Sequence, residues 1–228
     1  MPNLRLLSYN VRSMRDDRAA LARVIRSAEA DVVVVQEAPR FARWRSLCAE
    51  LARTSNLVVV GGGRPAGANL VLSSLGVDVT STTDVLFSKQ PRLHQRGAVL
   101  AQLVYRGAPL AVAGIHLSLD ATERARHVGE LDVAIGRVVP AGVPLVVAGD
   151  INDVPGSTVW TALAATRDDA FGGGPHPFTS TAASPAKTID GVFVDRRLSV
   201  VSASVLSHPE AAAASDHLPV LVELSLPE

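Results

Sequence analysis

Four polar islands interrupt an otherwise apolar chain: Tyr9-Asn10, Gln36-Glu37, the GDIN segment from Gly149 to Asn152, and SDHLPV from Ser215 to Val220. The first three close short hydrophobic runs, where a strand delivers its last side chain to the rim of a sheet. The fourth sets an acid, Asp216, beside an imidazole, His217, just before another apolar run. Four such coincidences point to one assembled site, built from carboxylates, amides and imidazole and dependent on a metal. GDIN is the most specific piece. A glycine before Asp150 lets the backbone approach a ligand closely, and Asn152 returns to the same side of the chain two residues later. An acid and an amide at that spacing can activate and orient one water. They can equally form an Asx turn ahead of Pro155.

The elements that must carry these residues alternate. Leu4 to Tyr9 reads as a strand, Asp16 to Ala30 as a helix with acids at its start, and Asp31 to Glu37 as a strand whose unbroken valines imply cover on both faces. A helix is expected over Arg40 to Arg53, then strands from Leu57, Asn69 and Val77. GAVLAQLVY and PLAVAGIHL form a hairpin turning at Gly107 and delivering His116. Thr122 to Val139 is a helix and PLVVAGD a buried strand closed by Asp150. A short helix near Ser157 to Ala165 and a Gly/Pro stretch follow, then strands near Ile189 to Val194, Leu198 to Leu206 and Pro219 to Leu224. Helix-crossed buried strands together with hairpins imply an α/β (α+β) chain of two mixed sheets packed face to face, with helices outside.

Composition sets bounds. With 228 residues, 47% of them hydrophobic, the chain can bury a sizeable core, and no linker divides it, so one domain over residues 1–228 is expected. Twenty-two basic and 22 acidic residues cancel, so no global charge draws the protein to polyanions. Cys48 is the only cysteine, which excludes a disulfide within the chain; its amphipathic surroundings predict a buried thiol. No signal peptide or transmembrane run is apparent, so a cytoplasmic protein, a monomer, is expected.

The ordered motifs SYNV, QE, IHL, GDIN, TIDGVFV and SDHLPV resemble the endonuclease/exonuclease/phosphatase superfamily, which shares the fold of pancreatic deoxyribonuclease I. The resemblance covers almost the whole chain. It implies a four-layer sandwich and divalent-cation-dependent hydrolysis of phosphoesters, with magnesium as the usual ion and manganese as a substitute. By the same resemblance Glu37, Asn10 and Asp216 would hold the metal. Asp150 would activate water, with Asn152 beside it. His217 would contact the phosphoryl oxygen, oriented by Asp190, and His116 would be a second phosphate contact or proton donor. Arg96, Asn152 and Thr179 would bind substrate phosphate. One departure is visible: relatives often support the His116 position with an acid from an earlier strand, yet residues 54 to 77 contain neither Asp nor Glu.

The implied substrate is a phosphoester, either a nucleic-acid-type diester or a small phosphorylated metabolite or lipid headgroup. A catalytically silent binding module is a third reading. Only 4% of residues are aromatic, and no long insertion straddles a groove, so there is no duplex-DNA signature. Arg12, Arg15 and Arg18 follow the first motif and Arg40, Arg43 and Arg45 the second, as holders of extra phosphates or as solvated helix faces. His94, His127, His176 and His208 match no motif and are expected in solvent or loops.

Overall fold

The structure, a computed structural model, describes residues 1–227. In chain order its strands are β1 (Asn3–Asn10), β2 (Val32–Gln36), β3 (Val58–Gly63), β4 (Asn69–Ser73), β5 (Val77–Leu86) and β6 (Gly97–Tyr105). They continue with β7 (Ala108–His116), β8 (Leu145–Asp150), β9 (Arg167–Asp169), β10 (Asp190–Asp195), β11 (Ser199–Val205) and β12 (Val220–Ser225). The helices are α1 (Arg18–Ser27), α2 (Trp44–Thr54), α3 (Ala121–Val138), α4 (Thr158–Ala164) and α5 (Ala211–Ala214).

Two six-stranded sheets result, ordered β11-β12-β1-β2-β4-β3 and β5-β6-β7-β8-β10-β9. Each contains one parallel pair, β1 with β2 and β7 with β8, and its other neighbours are antiparallel. The parallel pairs are the ones bridged by α1 and α3, because a parallel return needs a crossover long enough to hold a helix.

The period of two along each strand builds the layers. Leu4, Leu6, Val32 and Val34 face inward to a core shared with Val99, Leu103, Val112, Val146 and Val192 of the second sheet. Their neighbours Leu7, Val33 and Val35 face outward onto Leu21, Val24 and Ile25 of α1 and Leu51 of α2. Ala113, Ile115 and Val147 do the same under α3 and α4 with Val128, Leu131 and Leu163. The order is helix, sheet, sheet, helix, the expected four-layer sandwich, and the unbroken valines of β2 are buried on both faces as their run implies.

Local chemistry sets the helix ends. Asp17 caps α1, accepting from the backbone N–H groups of Ala19 at 2.8 Å and Ala20 at 3.0 Å, so the helix starts two residues later than its acidic flank suggests. Asp120 caps α3 through the Glu123 N–H. The hairpin turns at Gly107, whose φ of +86° suits a residue without Cβ. Two elements were not expected: the three-residue edge strand β9, and α5, formed by the alanine run before SDHLPV. Cys48 is buried, and burial pushes its thiol up to about 11. His127 corrects an expectation: it is fully buried on α3, donates from Nε2 to the Ser88 carbonyl at 3.0 Å and stacks on Phe87. No helix among the described residues is long and apolar enough to cross a membrane.

Candidate active site

Strand register brings the polar islands to one end of the sandwich. Asn10 is paired with Gln36 at the ends of β1 and β2, and His116 with Asp150 at the ends of β7 and β8. Antiparallel β10 and β6 begin where those strands finish, so Asp190 lies opposite Asp150, and Gly97, after Arg96, opposite His116. His217 sits just before β12, which runs antiparallel to β1.

The Asp150 carboxylate is the hub. Its Oδ2 accepts from Asn10 Nδ2 at 3.0 Å, across the two sheets, and lies 3.3 Å from His116 Nε2 and 3.8 Å from His217 Nε2. Its Oδ1 accepts the Asn152 backbone N–H at 3.0 Å. The Asx turn is therefore real, and it leaves the second oxygen turned toward Asn10 and the two imidazoles. Asn152 takes the left-handed conformation, φ +54°, and its amide donates to the Leu117 carbonyl and to His116 Nε2, both at 3.0 Å. Gly149 is required on steric grounds: an added Cβ would fall 1.9 Å from the Ile115 carbonyl oxygen of the adjacent strand.

Burial and the neighbouring Asp190 carboxylate push Asp150 up to about 7, against the opposing pull of His217 and the Asn10 amide. For His217, burial works against the charged form. The Asp190 carboxylate, 2.9 Å and 3.1 Å from Nδ1, outweighs it with help from Asp150, and the imidazole rises to about 10. His116 goes the other way: burial first, then the Arg96 charge, push it well below its ordinary value. Its Nδ1 has no partner, as the missing acid between residues 54 and 77 foretold. Asn69 occupies that region instead, at the start of β4, with its amide spent on the Ala66 and Gly97 carbonyls.

Glu37 follows β2 with φ +51°, a left-handed conformation uncommon for a residue with a side chain. It lies on a chamber of about 210 Å³ that it shares with Arg15, Arg40, His94, Arg96 and His116. Its carboxylate accepts from the Asn10 amide at 3.5 Å and its backbone carbonyl from the Ser13 N–H at 2.8 Å, and it forms no ion pair among the described residues. Arg96 is 8% exposed, and its Nε has no hydrogen-bond partner among the described residues; burial pulls its guanidinium down.

Two expected site residues are bonded to their neighbours at the rim. Asp216 pairs with Arg12 at 3.3 Å. Thr179 is buried with its hydroxyl oxygen accepting the backbone N–H groups of Ile189 at 3.2 Å and Asp190 at 3.4 Å, which fixes the start of β10. Ser215 is a contributor the motifs did not flag. Its hydroxyl donates to the Asn10 carbonyl at 2.7 Å and accepts from the His217 N–H at 3.3 Å, tying the last motif to the first. A short hydroxyl before an Asp-His pair was the available signal.

Among the described residues, Asp150, Asp190 and His217 bring ligand atoms within 4.8 Å of one another, but a protonated His217 has no lone pair for a metal, which leaves the carboxylate oxygens. Glu37 and Asn10 add hard oxygen donors around the same rim. That donor set fits a small divalent cation that keeps part of its water shell.

The sequence matches the endonuclease/exonuclease/phosphatase family over residues 7–217, and the chain belongs to that family of phosphoester hydrolases. No curated protein matches it. Solved structures do. An endonuclease/exonuclease/phosphatase from Bacteroides vulgatus superposes with a TM-score of 0.84 at 18% identity, over 100% of both chains. A mannosyl-6-phosphatase of Bacteroides thetaiotaomicron gives 0.84 at 16% identity, over 98% of this chain and 100% of that one. TDP2 of D. rerio, in complex with a single-strand DNA product, gives 0.77 at 17%, over 99% and 100%. At these identities the likeness establishes the fold.

Proposed function

We propose that the protein is a divalent-metal-dependent phosphodiesterase in which water attacks phosphorus in line with the leaving oxygen. The observation that carries this reading is the Asp150 oxygen held 3.0 Å from Asn10, 3.3 Å from His116 and 3.8 Å from His217. Asp150 takes the proton of the attacking water. The His217 imidazolium, kept charged by Asp190, neutralises the phosphoryl oxygens, and Arg96 lends a second cation. His116, driven toward its neutral form, orients rather than donates a proton. Glu37 and Asn10, with Asp150, would hold magnesium or manganese, which supplies a Lewis acid for the phosphate. Left-handed backbone at Glu37 and Asn152 is strain placed where geometry matters. No covalent enzyme intermediate is expected.

The second reading, a phosphatase for a small phosphorylated metabolite or lipid headgroup, is favoured by zero net charge and by a solved neighbour described as a mannosyl-6-phosphatase. The neighbour bound to single-strand DNA favours the first. Either way the proposal takes residues 1–228 as one catalytic domain, working as a cytoplasmic monomer. Hydrolysis of bis-p-nitrophenyl phosphate and p-nitrophenyl phosphate with magnesium and with manganese separates the two. Faster turnover of the diester supports the first reading and faster turnover of the monoester the second, while no turnover of either would leave the silent binding module.

A further inference from the structure

A groove leads outward from the chamber beside Glu37. The two share Arg40, Phe41 and Gly67, and the groove, about 690 Å³, is walled by Phe41, Arg43, Trp44, Arg64 and Gln95. That volume is in the range of small-molecule sites.

Its charge is unlike that of the surrounding protein. The chain is neutral overall, yet Arg15, Arg40, Arg43, Arg64 and Arg96 line the chamber and groove, with Glu37 the one acid on either wall. Several arginines elsewhere find carboxylates: Arg23 with Glu210, Arg124 with Asp153, Arg167 with Asp132 and Arg197 with Asp195. Among the described residues, none of the five guanidinium groups at the groove and chamber makes an ion pair or a hydrogen bond. Arg96 is left unpaired while buried, which is costly unless an anion completes the site.

An aromatic ring stands among these cations. Phe41 is 71% exposed, with the Arg40 guanidinium carbon 5.4 Å from its centroid. The groove is also fixed relative to the hydrolytic site. A Cβ on Gly67 would lie 2.6 Å from the Gly97 nitrogen, so the floor is pressed against the start of β6, next to Arg96.

We propose that this groove is a second subsite that takes a nucleotide unit, its phosphate against Arg43 and Arg64 and its base against Phe41. The inference rests on the phosphoesterase reading and narrows its substrate to a nucleotide-class diester with a further phosphate beside the scissile one. Fork-shaped guanidinium donors match phosphate oxygens, and every base has a π-face for an aromatic ring. A ring-free polyanion would use the arginines and ignore Phe41.

The test uses the double variant Arg43→Gln/Arg64→Gln and, separately, Phe41→Ala. A fluorescent thymidine dinucleotide carrying a terminal phosphate is titrated by anisotropy in EDTA, and hydrolysis of bis-p-nitrophenyl phosphate is measured with magnesium. The double variant should bind the dinucleotide at least about tenfold more weakly. Its log Kd against log salt should flatten by about 0.7, for the one lost single-strand phosphate contact. Phe41→Ala should weaken binding about fivefold or more. Activity on bis-p-nitrophenyl phosphate should stay within about twofold in both. Unchanged dinucleotide binding, a parallel loss on the simple diester, or Phe41→Ala without effect would overturn the proposal. The last result assigns the groove to a ring-free polyanion. Because anisotropy needs no turnover, groove-dependent binding by an inactive protein would remove the phosphoesterase reading alone, whereas diester hydrolysis with groove-independent binding would remove the subsite alone.

Discussion

Replacing Asp190 by Asn removes the charge that keeps His217 protonated while preserving the shape of the side chain. The pair is buried, its side chains 10% and 2% exposed at 2.9 Å, so solvent screens it little. Raising the imidazole from 6.5 to about 10 corresponds, at about 1.36 kcal/mol per unit, to roughly 3–5 kcal/mol, the range seen when a buried pair loses one partner. That is an upper estimate, because Asp150, also raised by Asp190, is relieved by the same substitution. The sign follows from proton linkage: a group with a raised folded pKa contributes stability that is complete below its unfolded value and lost as pH climbs through the folded one. The Asp190→Asn protein should therefore be least stable relative to the parent near or below pH 6.5, and the gap should close between 6.5 and about 10. Urea unfolding across that window reads the stability. The alkaline limb of kcat/KM for bis-p-nitrophenyl phosphate, expected near 10 in the parent, should move toward 6.5. A stability gap independent of pH, or an alkaline limb that stays put, would refute the pairing argument.

Gly149→Ala must push the new Cβ at least about 1 Å away from the Ile115 carbonyl, to clear the 3.0 Å that such contacts require. We expect about 1–3 kcal/mol lost in unfolding free energy and about 100-fold in kcat, since Asp150 shifts with its strand; a kcat within a few fold of the parent would contradict the close-approach argument. Gly129→Ala, in α3 where an added Cβ meets nothing within 4 Å, should raise stability by about 0.5–1 kcal/mol without touching activity, as thermal melting would report. Glu37→Gln should weaken magnesium binding, read by calorimetry, and lower magnesium-dependent kcat/KM by at least about 10–100-fold with the fold intact; unchanged magnesium affinity would take Glu37 out of the cation site.

Much of this arrangement was legible in the sequence. Apolar runs gave both sheets, and the polar residue closing each run marked the common rim, because strand ends are where register can gather side chains from distant stretches. The valines of β2 announced two covered faces, and the absence of any acid from residue 54 to 77 announced an unsupported His116. The rest depended on side-chain geometry that spacing does not encode. Asp216 is adjacent to His217, yet it turns to Arg12, an arginine that no motif tied to it. The bond of the Thr179 hydroxyl to the backbone at the start of β10 was likewise not readable from its motif. β9 has only three residues and too little pattern to read, and α5 is a four-alanine run whose helix depends on the turn before it. His127 looked like a surface histidine because its partner is a backbone carbonyl, which no side-chain pattern reveals.

The central claim, that the Asp150 oxygen is the base of one metal-dependent phosphoester site, is tested most directly by a single comparison. Magnesium-dependent kcat/KM on bis-p-nitrophenyl phosphate is measured for the parent and for Asp150→Asn, with the fold of each checked by circular dichroism. A folded Asp150→Asn protein that has lost about 100–10,000-fold is the predicted result. Activity within about tenfold of the parent would contradict it.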